Sequence, residues 1–373
     1  MEQKIPQFQP YLDNKEYESI KSCFENNWIT EGPKSKEFVE KLLKIIGAKY
    51  GVLAPNGTLS IYMALRALGI GPGDEVLVPN FTFIASANAV EMCGAKPVFV
   101  DIKEDLHIDI EKCKLSLTRK TKAIMPVHIY GMACNMPEIM EFAKNHKLLV
   151  VEDAAQAIGV KWGKKHAGTF GQVGSFSFFA DKTITTGEGG LVVTNDKKIY
   201  ERLQFIRNQG RINRGSFVHP EIGYNFRMTD IQSAIGLSQL EKLPEIIEKK
   251  SFILKTYKKH LKSSIKIIQP PKQSNHIPFR VAIVIPGGSD KLMKHMAENG
   301  IENRTFFYPL HLQPCYSKSS SNIFKKIFSK FFNVKDKYEI STKMYNEGIC
   351  LPSFVGITEE QIKFICEKIN EYV

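Results

Sequence analysis

Between residue 50 and about residue 195, apolar runs of strand length alternate with stretches of helical spacing, and this alternation narrows the possible folds more than any other feature of the chain. GVLA (51–54), EVLVP (75–79), KPVFVD (96–101), KAIMPV (122–127), LLVVED (148–153) and GGLVVT (189–194) read as buried strands. TLSIYMALRAL (58–68), FIASANAVEMC (83–93) and MPEIMEFAKNH (136–146) lie between them with helical spacing. Continuous apolar strands are covered on both faces, and helical crossovers join parallel neighbours. The expected fold class is therefore α/β, with a large, mainly parallel sheet. In such sheets ligands bind where loops leave the carboxyl ends of strands.

A second helical pattern runs from about 229 to 261 and contains Pro244, which is expected to interrupt it. Beyond Lys262 the texture changes to short strands (PFRVAIVIP, 278–286) and helices (SDKLMKHMAENG, 289–300). A chain of 373 residues exceeds one ordinary core and points to two domains, with one large domain as the alternative. Residues 1–250 are expected to form an N-terminal segment with a large α/β domain, and residues 251–373 a smaller α+β domain. The first residues, to about Gly32, should lie against the smaller domain or the site. SNIFKKIFSKFFNV (321–334) sets apolar residues at one-face helical spacing against lysines. It is expected to pack on its own domain or a second subunit rather than on a membrane surface.

Several function classes are excluded. No apolar run approaches the length needed to span a bilayer. The opening MEQKIPQFQP lacks the charged and apolar regions of a secretion signal, so a cytoplasmic location is expected. Seven cysteines are scattered without a CxxC pair and read as reduced thiols. The nine histidines form no ligand spacing, so no metal site is expected. The net charge of +12 attracts polyanions, but much of the excess sits in the last third of the chain. Nucleic acid and a nucleotide diphosphate are the candidate anionic partners, and no nucleic-acid-binding motif accompanies the charge, so nucleic acid is the less expected of the two.

Four segments carry chemistry. In VVEDAAQAIG (150–159) an apolar strand ends in Asp153, followed by Ala155 and Gln156. A carboxylate there could cap a helix, bind a metal or pair with a cationic ring. A pyridinium that must stay protonated to withdraw electrons needs an acid opposite its nitrogen. Ala155 would leave room for the ring face, and Gln156 could reach its hydroxyl. GSFSFFADKTITTGEGGLVVTND (174–196) sets Ser177 and Lys182 between an aromatic run and a glycine-rich turn. An enclosed lysine favours the neutral amine, the form that makes a Schiff base. GEGG lacks the spacing of a phosphate loop and a following helix, so a hairpin-type turn is its expected role. LAPNGTLSIYMAL (53–65) brings Gly57, Thr58 and Leu59 to a helix N-terminus, suited to a phosphate or a plain threonine cap. PNFTFIAS (79–86) offers Phe83 as a stacking face or a core residue.

The order and spacing of Thr58, Phe83, Asp153 with Gln156, and Ser177 with Lys182 resemble the sugar aminotransferases of the DegT/DnrJ/EryC1/StrS family, which have the aspartate-aminotransferase-like (type I PLP) fold. The resemblance spans nearly the whole chain, from ENNWITEGPKSKEF (25–38) through PVHIYGMACNM (126–136) and EIGYNFRMTDIQSAIGLSQLE (221–241) to YPLHLQPCY (308–316) and ICLPSF (349–354). Within the family, DKTITTGEGGLVVTND looks most like the GDP-perosamine synthases. The resemblance implies pyridoxal 5'-phosphate as cofactor, joined to Lys182, with Asp153 at the ring nitrogen, Gln156 near the ring oxygen and Phe83 stacked on the ring. It assigns Thr58, the Leu59 amide and Ser177 to the phosphate. It also implies a homodimer with shared active sites, in which Asn225 reaches the neighbouring subunit's phosphate, and it sets Tyr308 and His311 near the sugar nucleotide.

The reaction implied is transfer of an amino group from glutamate to C4 of a nucleotide-linked 4-keto-6-deoxy sugar. GDP-4-keto-6-deoxymannose is the first candidate, and UDP- or dTDP-linked sugars are the alternatives. A 3-dehydratase of the same family would carry histidine at Lys182. A non-catalytic, cofactor-binding regulator would add a DNA-binding module or lose the lysine or aspartate. Neither change is present. Two departures stand out: Leu59 where the family usually has alanine, and a longer aromatic and lysine-rich stretch after Tyr316.

Overall fold

The computed structural model describes residues 4–211, 215, 217–317 and 337–373. The amphipathic segment 321–334 lies outside the described residues. Seven strands form the larger sheet: β1 (Tyr50–Ala54), β2 (Glu75–Pro79), β3 (Lys96–Val100), β4 (Thr121–Ile124), β5 (Leu149–Asp153), β8 (Val173–Ser177) and β9 (Gly190–Thr194). A two-stranded hairpin, β6 (Lys161–Trp162) and β7 (Lys165–His166), intervenes between β5 and β8. The order across the sheet is β1-β9-β8-β5-β4-β2-β3.

Strands β3, β2, β4, β5 and β8 run parallel. Strand β9 is antiparallel to both β8 and β1, a reversal the apolar runs do not announce. Its cause is the connection. A glycine-rich loop over 178–189, with no crossover helix, joins β8 to β9, so the chain turns back beside itself.

Helices α3 (Gly57–Ala67), α4 (Ala85–Met92) and α7 (Lys197–Arg207) cover one face, where Ile61, Val90 and Leu203 meet Val52, Val76, Val78 and Val192. On the other face, α2 (Pro33–Ile46) and α8 (Asp230–His260) bring Phe38, Leu42 and Leu237 against Leu53, Leu191 and Val193. Helices α5 (Ile110–Ser116) and α6 (Met136–Asn145) bury Cys113, Ile139 and Phe142 against Leu77, Ile124 and Val150. Val76 and Val78 therefore face one layer and Leu77 the opposite one, as the pleat of a strand requires.

Helix α8 starts with Thr229 and Gln232 in a capping box and continues through Pro244 without a break, contrary to the interruption expected there. A proline inside a helix costs roughly 3 kcal/mol through its missing donor and ring clash. Burial on both sides of Pro244 offsets this. Leu237, Leu240, Leu243 and Ile246 join the larger sheet's core, while Ile253, Leu254 and Tyr257 join that of the smaller sheet.

The smaller sheet is antiparallel, in the order β10 (Lys266–Ile267), β11 (Val281–Val284), β13 (Gly348–Leu351), β12 (Arg304–Thr305). Its core includes Leu292 and Met296 of α9 (Asp290–Glu298) and Ile362, Ile365 and Ile369 of the C-terminal helix Glu359–Tyr372. At the N-terminus, Ile5 bridges to Ile301 beside this sheet. Helix α1 (Asn14–Glu25) then lies along α8, where buried Lys242 holds Glu16 at 2.5 Å and Asp13 at 3.3 Å. Among the described residues no helix is long and apolar enough to cross a membrane.

Candidate active site

The carboxyl ends of β5 and β8 and the N-terminus of α3 converge on a cavity of about 400 Å³, closed on the far side by the smaller sheet. Each side chain arrives there for a local reason. Asp153 is the last residue of β5 and is buried. One of its carboxylate oxygens accepts the Ser86 hydroxyl at 2.7 Å and the other the Ala155 amide at 3.1 Å. The preceding residue, Glu152, faces away and fixes the strand end. It pairs with buried His128 at 2.9 Å and accepts the amides of Gly168, Phe170 and Gly171 at 2.6–2.7 Å. Asp153 is thus held at a rigid edge.

At the second wall, Asn56 caps α3 and its side chain accepts the Leu59 amide at 2.9 Å. The Leu59 amide, expected to serve a bound phosphate, is held by this cap in the structure. The amides of Gly57 and Thr58 are the first two of the helix, which have no acceptor within it. Ser177, the last residue of β8, lies beside them. A methyl group at Gly57 would come within 2.8 Å of the Ser177 Cβ, so only glycine allows this approach. Two free amides, a helix dipole and a hydroxyl form a cradle for a doubly charged anion of phosphate size.

Lys182 lies on the loop over 178–189. The loop is closed by Phe178 N–H donating to the Gly189 carbonyl at 2.9 Å and Thr186 N–H donating to the Phe178 carbonyl at 2.9 Å. Its amine sits over the Phe279 ring at 4.6 Å and lies 3.6 Å from Asp181. Burial pushes this amine below the ordinary lysine range. Asp181 opposes that shift, and the Arg280 guanidinium adds to it. A larger neutral fraction makes the amine more nucleophilic.

Of the residues singled out from sequence, Gly57, Thr58, Phe83, Asp153, Ala155, Gln156, Ser177 and Lys182 line this cavity. Phe83 is 56% exposed, so its ring is open to a stacking partner. The Gln156 side-chain carbonyl accepts the Tyr130 amide at 2.7 Å, which fixes the orientation of its amide group. Asn225, Tyr308 and His311 are not among the lining residues. Asn225 is exposed and accepts from Arg227 at 2.8 Å. Tyr308 packs edge-on to Tyr345. His311 is bound to Asn80 and stacked on Tyr338 at 4.4 Å.

Sequence reasoning missed the wall supplied by the smaller sheet and its flanks, where Phe279, Arg280, Arg304, Phe307 and Cys350 reach the cavity. Asp181 was also missed. Arg280, opening an otherwise apolar strand in PFRVAIVIP, was the one available signal.

Comparison with known proteins bears on this cavity. The DegT/DnrJ/EryC1/StrS aminotransferase family matches residues 10–370. GDP-perosamine synthase of Escherichia coli O157:H7 is 41% identical over 99% of this chain and 98% of its own length. The enzyme of the same name from Vibrio cholerae is 37% identical over 99% of both chains. Among solved structures, Helicobacter pylori PseC, an aminotransferase involved in the biosynthesis of pseudoaminic acid, superimposes with a TM-score of 0.89 at 26% identity, covering 99% of each chain.

Proposed function

Because the chain belongs to the DegT/DnrJ/EryC1/StrS aminotransferase family, we propose that it moves the amino group of glutamate to C4 of a nucleotide-linked 4-keto-6-deoxy sugar. GDP-4-keto-6-deoxymannose is the favoured acceptor, giving GDP-perosamine, as the names of the 41% and 37% identical relatives suggest. The observation that carries the reading is the convergence of Lys182, Asp153 and the α3 N-terminus with Ser177 on one cavity.

The residues fit pyridoxal 5'-phosphate. Gly57 leaves space that a Cβ would fill, and the Gly57 and Thr58 amides with the Ser177 hydroxyl suit its phosphate. Asp153 would hold the ring nitrogen, the Gln156 amide the ring hydroxyl, and Phe83 and Ala155 the ring faces. When bound, this cofactor supplies an aldehyde that carries the amino group and a ring that withdraws electrons from the reacting carbon. Lys182 then moves the proton, as base at the α-carbon of glutamate and as acid and base at the sugar carbon receiving nitrogen. The buried Asp153 carboxylate keeps positive charge opposite it favourable throughout.

The reading extends to a homodimer with shared sites. Phe217 and Ile222, near Asn225, are 81% and 85% exposed, which supports a second copy covering this strip and Asn225 reaching across to it. Glutamate-dependent amination, assayed across GDP-, UDP- and dTDP-linked 4-keto-6-deoxy sugars, tests the proposal. Preference for the GDP sugar is the expected result. Amination of a UDP or dTDP sugar alone would replace the substrate, and no amination of any would overturn the reading.

A further inference from the structure

Asp181 immediately precedes Lys182 and is buried with it, its side chain 11% exposed. One carboxylate oxygen, Oδ2, accepts from the Arg280 guanidinium at 2.7 Å. The other, Oδ1, is buried, has no hydrogen-bond partner, and lies 3.6 Å from the Lys182 amine. An unsatisfied carboxylate oxygen in a buried site is costly unless a donor reaches it at some stage of the cycle. The Lys182 amine is the group in position to become that donor.

Arg280 is buried on the opposite side, just before β11, between the rings of Phe279 at 4.3 Å and Phe8 at 5.9 Å. Behind the pair, Lys250 of α8 is buried and donates to the Ser353 carbonyl at 2.6 Å. The groups facing Lys182 are therefore Asp181 from its own loop, Arg280 from the smaller sheet and Asp153 from the end of β5. Lys250 lies behind them, and Glu188 and Arg304 also line the cavity.

We propose that Asp181 and Arg280 are a positioning pair that sets the proton affinity of the Lys182 amine, Asp181 as its counter-charge and Arg280 as the group that limits that charge. The proposal rests on Lys182 being the reacting amine and goes beyond that role. An amine that must both take up and release a proton needs an affinity near the working pH. Burial alone drives it toward the neutral form, a bare carboxylate at this distance toward the charged form, and the guanidinium moderates the carboxylate. The arrangement also ties the loop over 178–189 to the edge of the smaller sheet through the Asp181–Arg280 ion pair.

The two partners then have opposite effects on one observable, which a merely structural pair would not. The experiment measures the pH dependence of Lys182 acetylation by acetic anhydride in the cofactor-free protein, read by peptide mass spectrometry. The pH midpoint of the visible band of the protein loaded with pyridoxal phosphate is recorded alongside. Asp181→Asn is expected to move the acetylation midpoint down, and Arg280→Met to move it up, each by roughly one pH unit. The double variant should return close to the unmodified protein, and Arg280→Lys, which keeps the charge, should stay with it even if Arg280→Met fails to fold. Midpoints that do not move, or that move in the same direction for Asp181→Asn and Arg280→Met, overturn the proposal. These readouts follow the amine itself. They can fail while Lys182 remains essential for turnover, and loss of the functional reading would instead appear as turnover without Lys182.

Discussion

On the larger-sheet side of the cavity, side chains are aimed by backbone: Asp153 ends a strand, Ser177 ends its neighbour, and Gly57 begins a capped helix. On the smaller-sheet side they are aimed by one another. Arg280 is fixed by Asp181 and two rings, and Arg304 leans on Phe8 at 5.2 Å. The first wall has the fixed geometry that bond-making requires. The second has mutually compensating charges, which suits a surface that tunes the amine and receives an anionic substrate. If this division is correct, substitutions on the first wall should abolish chemistry or cofactor binding. Those on the second should change pH dependence and substrate affinity.

The largest effect should come from the residue that stands between the two walls. Lys182→Ala is expected to lower the rate of amination by about 10³-fold or more, because Lys182 is the amine placed to carry the proton at the reacting carbon. Single-turnover measurement with glutamate checks this, and a variant retaining a tenth of the normal rate would remove Lys182 from the mechanism. Next comes Gly57→Ala. Its methyl group would meet the Ser177 Cβ at 2.8 Å, so the cradle must open. Overpacking of this kind costs about 1–3 kcal/mol, or about 5- to 150-fold in affinity for pyridoxal phosphate. Equilibrium dialysis would reveal it. Unchanged affinity would mean that the anion site lies elsewhere.

The sequence shows the first wall clearly because strand ends and helix starts carry local signals: an apolar run, a turn, then a polar residue. Asp153, Ser177, Lys182 and Thr58 could be singled out on that basis. Two local details escaped. The reversal of β9 after the loop over 178–189 agrees with the hairpin-type turn read from GEGG, whereas its placement between β8 and β1 carried no local signal. The capping of α3 by Asn56 was hidden because Thr58, two residues on, is also a favoured cap type. The second wall was not legible for a different reason. Arg280, Arg304 and Cys350 come together only when β11, β12 and β13 pair in three dimensions, and each is ordinary in its own segment.

A smaller effect separates the two sides by pH. Burial holds the Lys250 amine at about 7 in the folded protein, against an ordinary value of 10.5. The unfolded chain therefore binds the extra proton between those values, so stability rises with pH across the window and the full penalty applies below it. The slope approaches about 1.4 kcal/mol per pH unit. Denaturant unfolding of the protein and of Lys250→Met should show the unmodified protein gaining on the variant from about pH 7 to about pH 10. A constant difference would show that Lys250 stays charged behind Arg280, and that the second wall carries more net positive charge than described.

The smallest effect concerns Arg304, and it tests the second wall where it meets solvent. Arg304 is exposed, lines the cavity and stacks on Phe8. An exposed cation contributes modestly to anion binding, because water and salt screen it. Arg304→Ala should therefore raise KM for the nucleotide sugar by about threefold to fivefold and leave kcat and cofactor affinity near normal, consistent with an exposed ion pair of about 1 kcal/mol or less. The difference should shrink as ionic strength rises. If kcat falls instead while KM holds, Arg304 acts on the reacting groups, and the division between a wall that performs the chemistry and a wall that admits the substrate no longer describes this cavity.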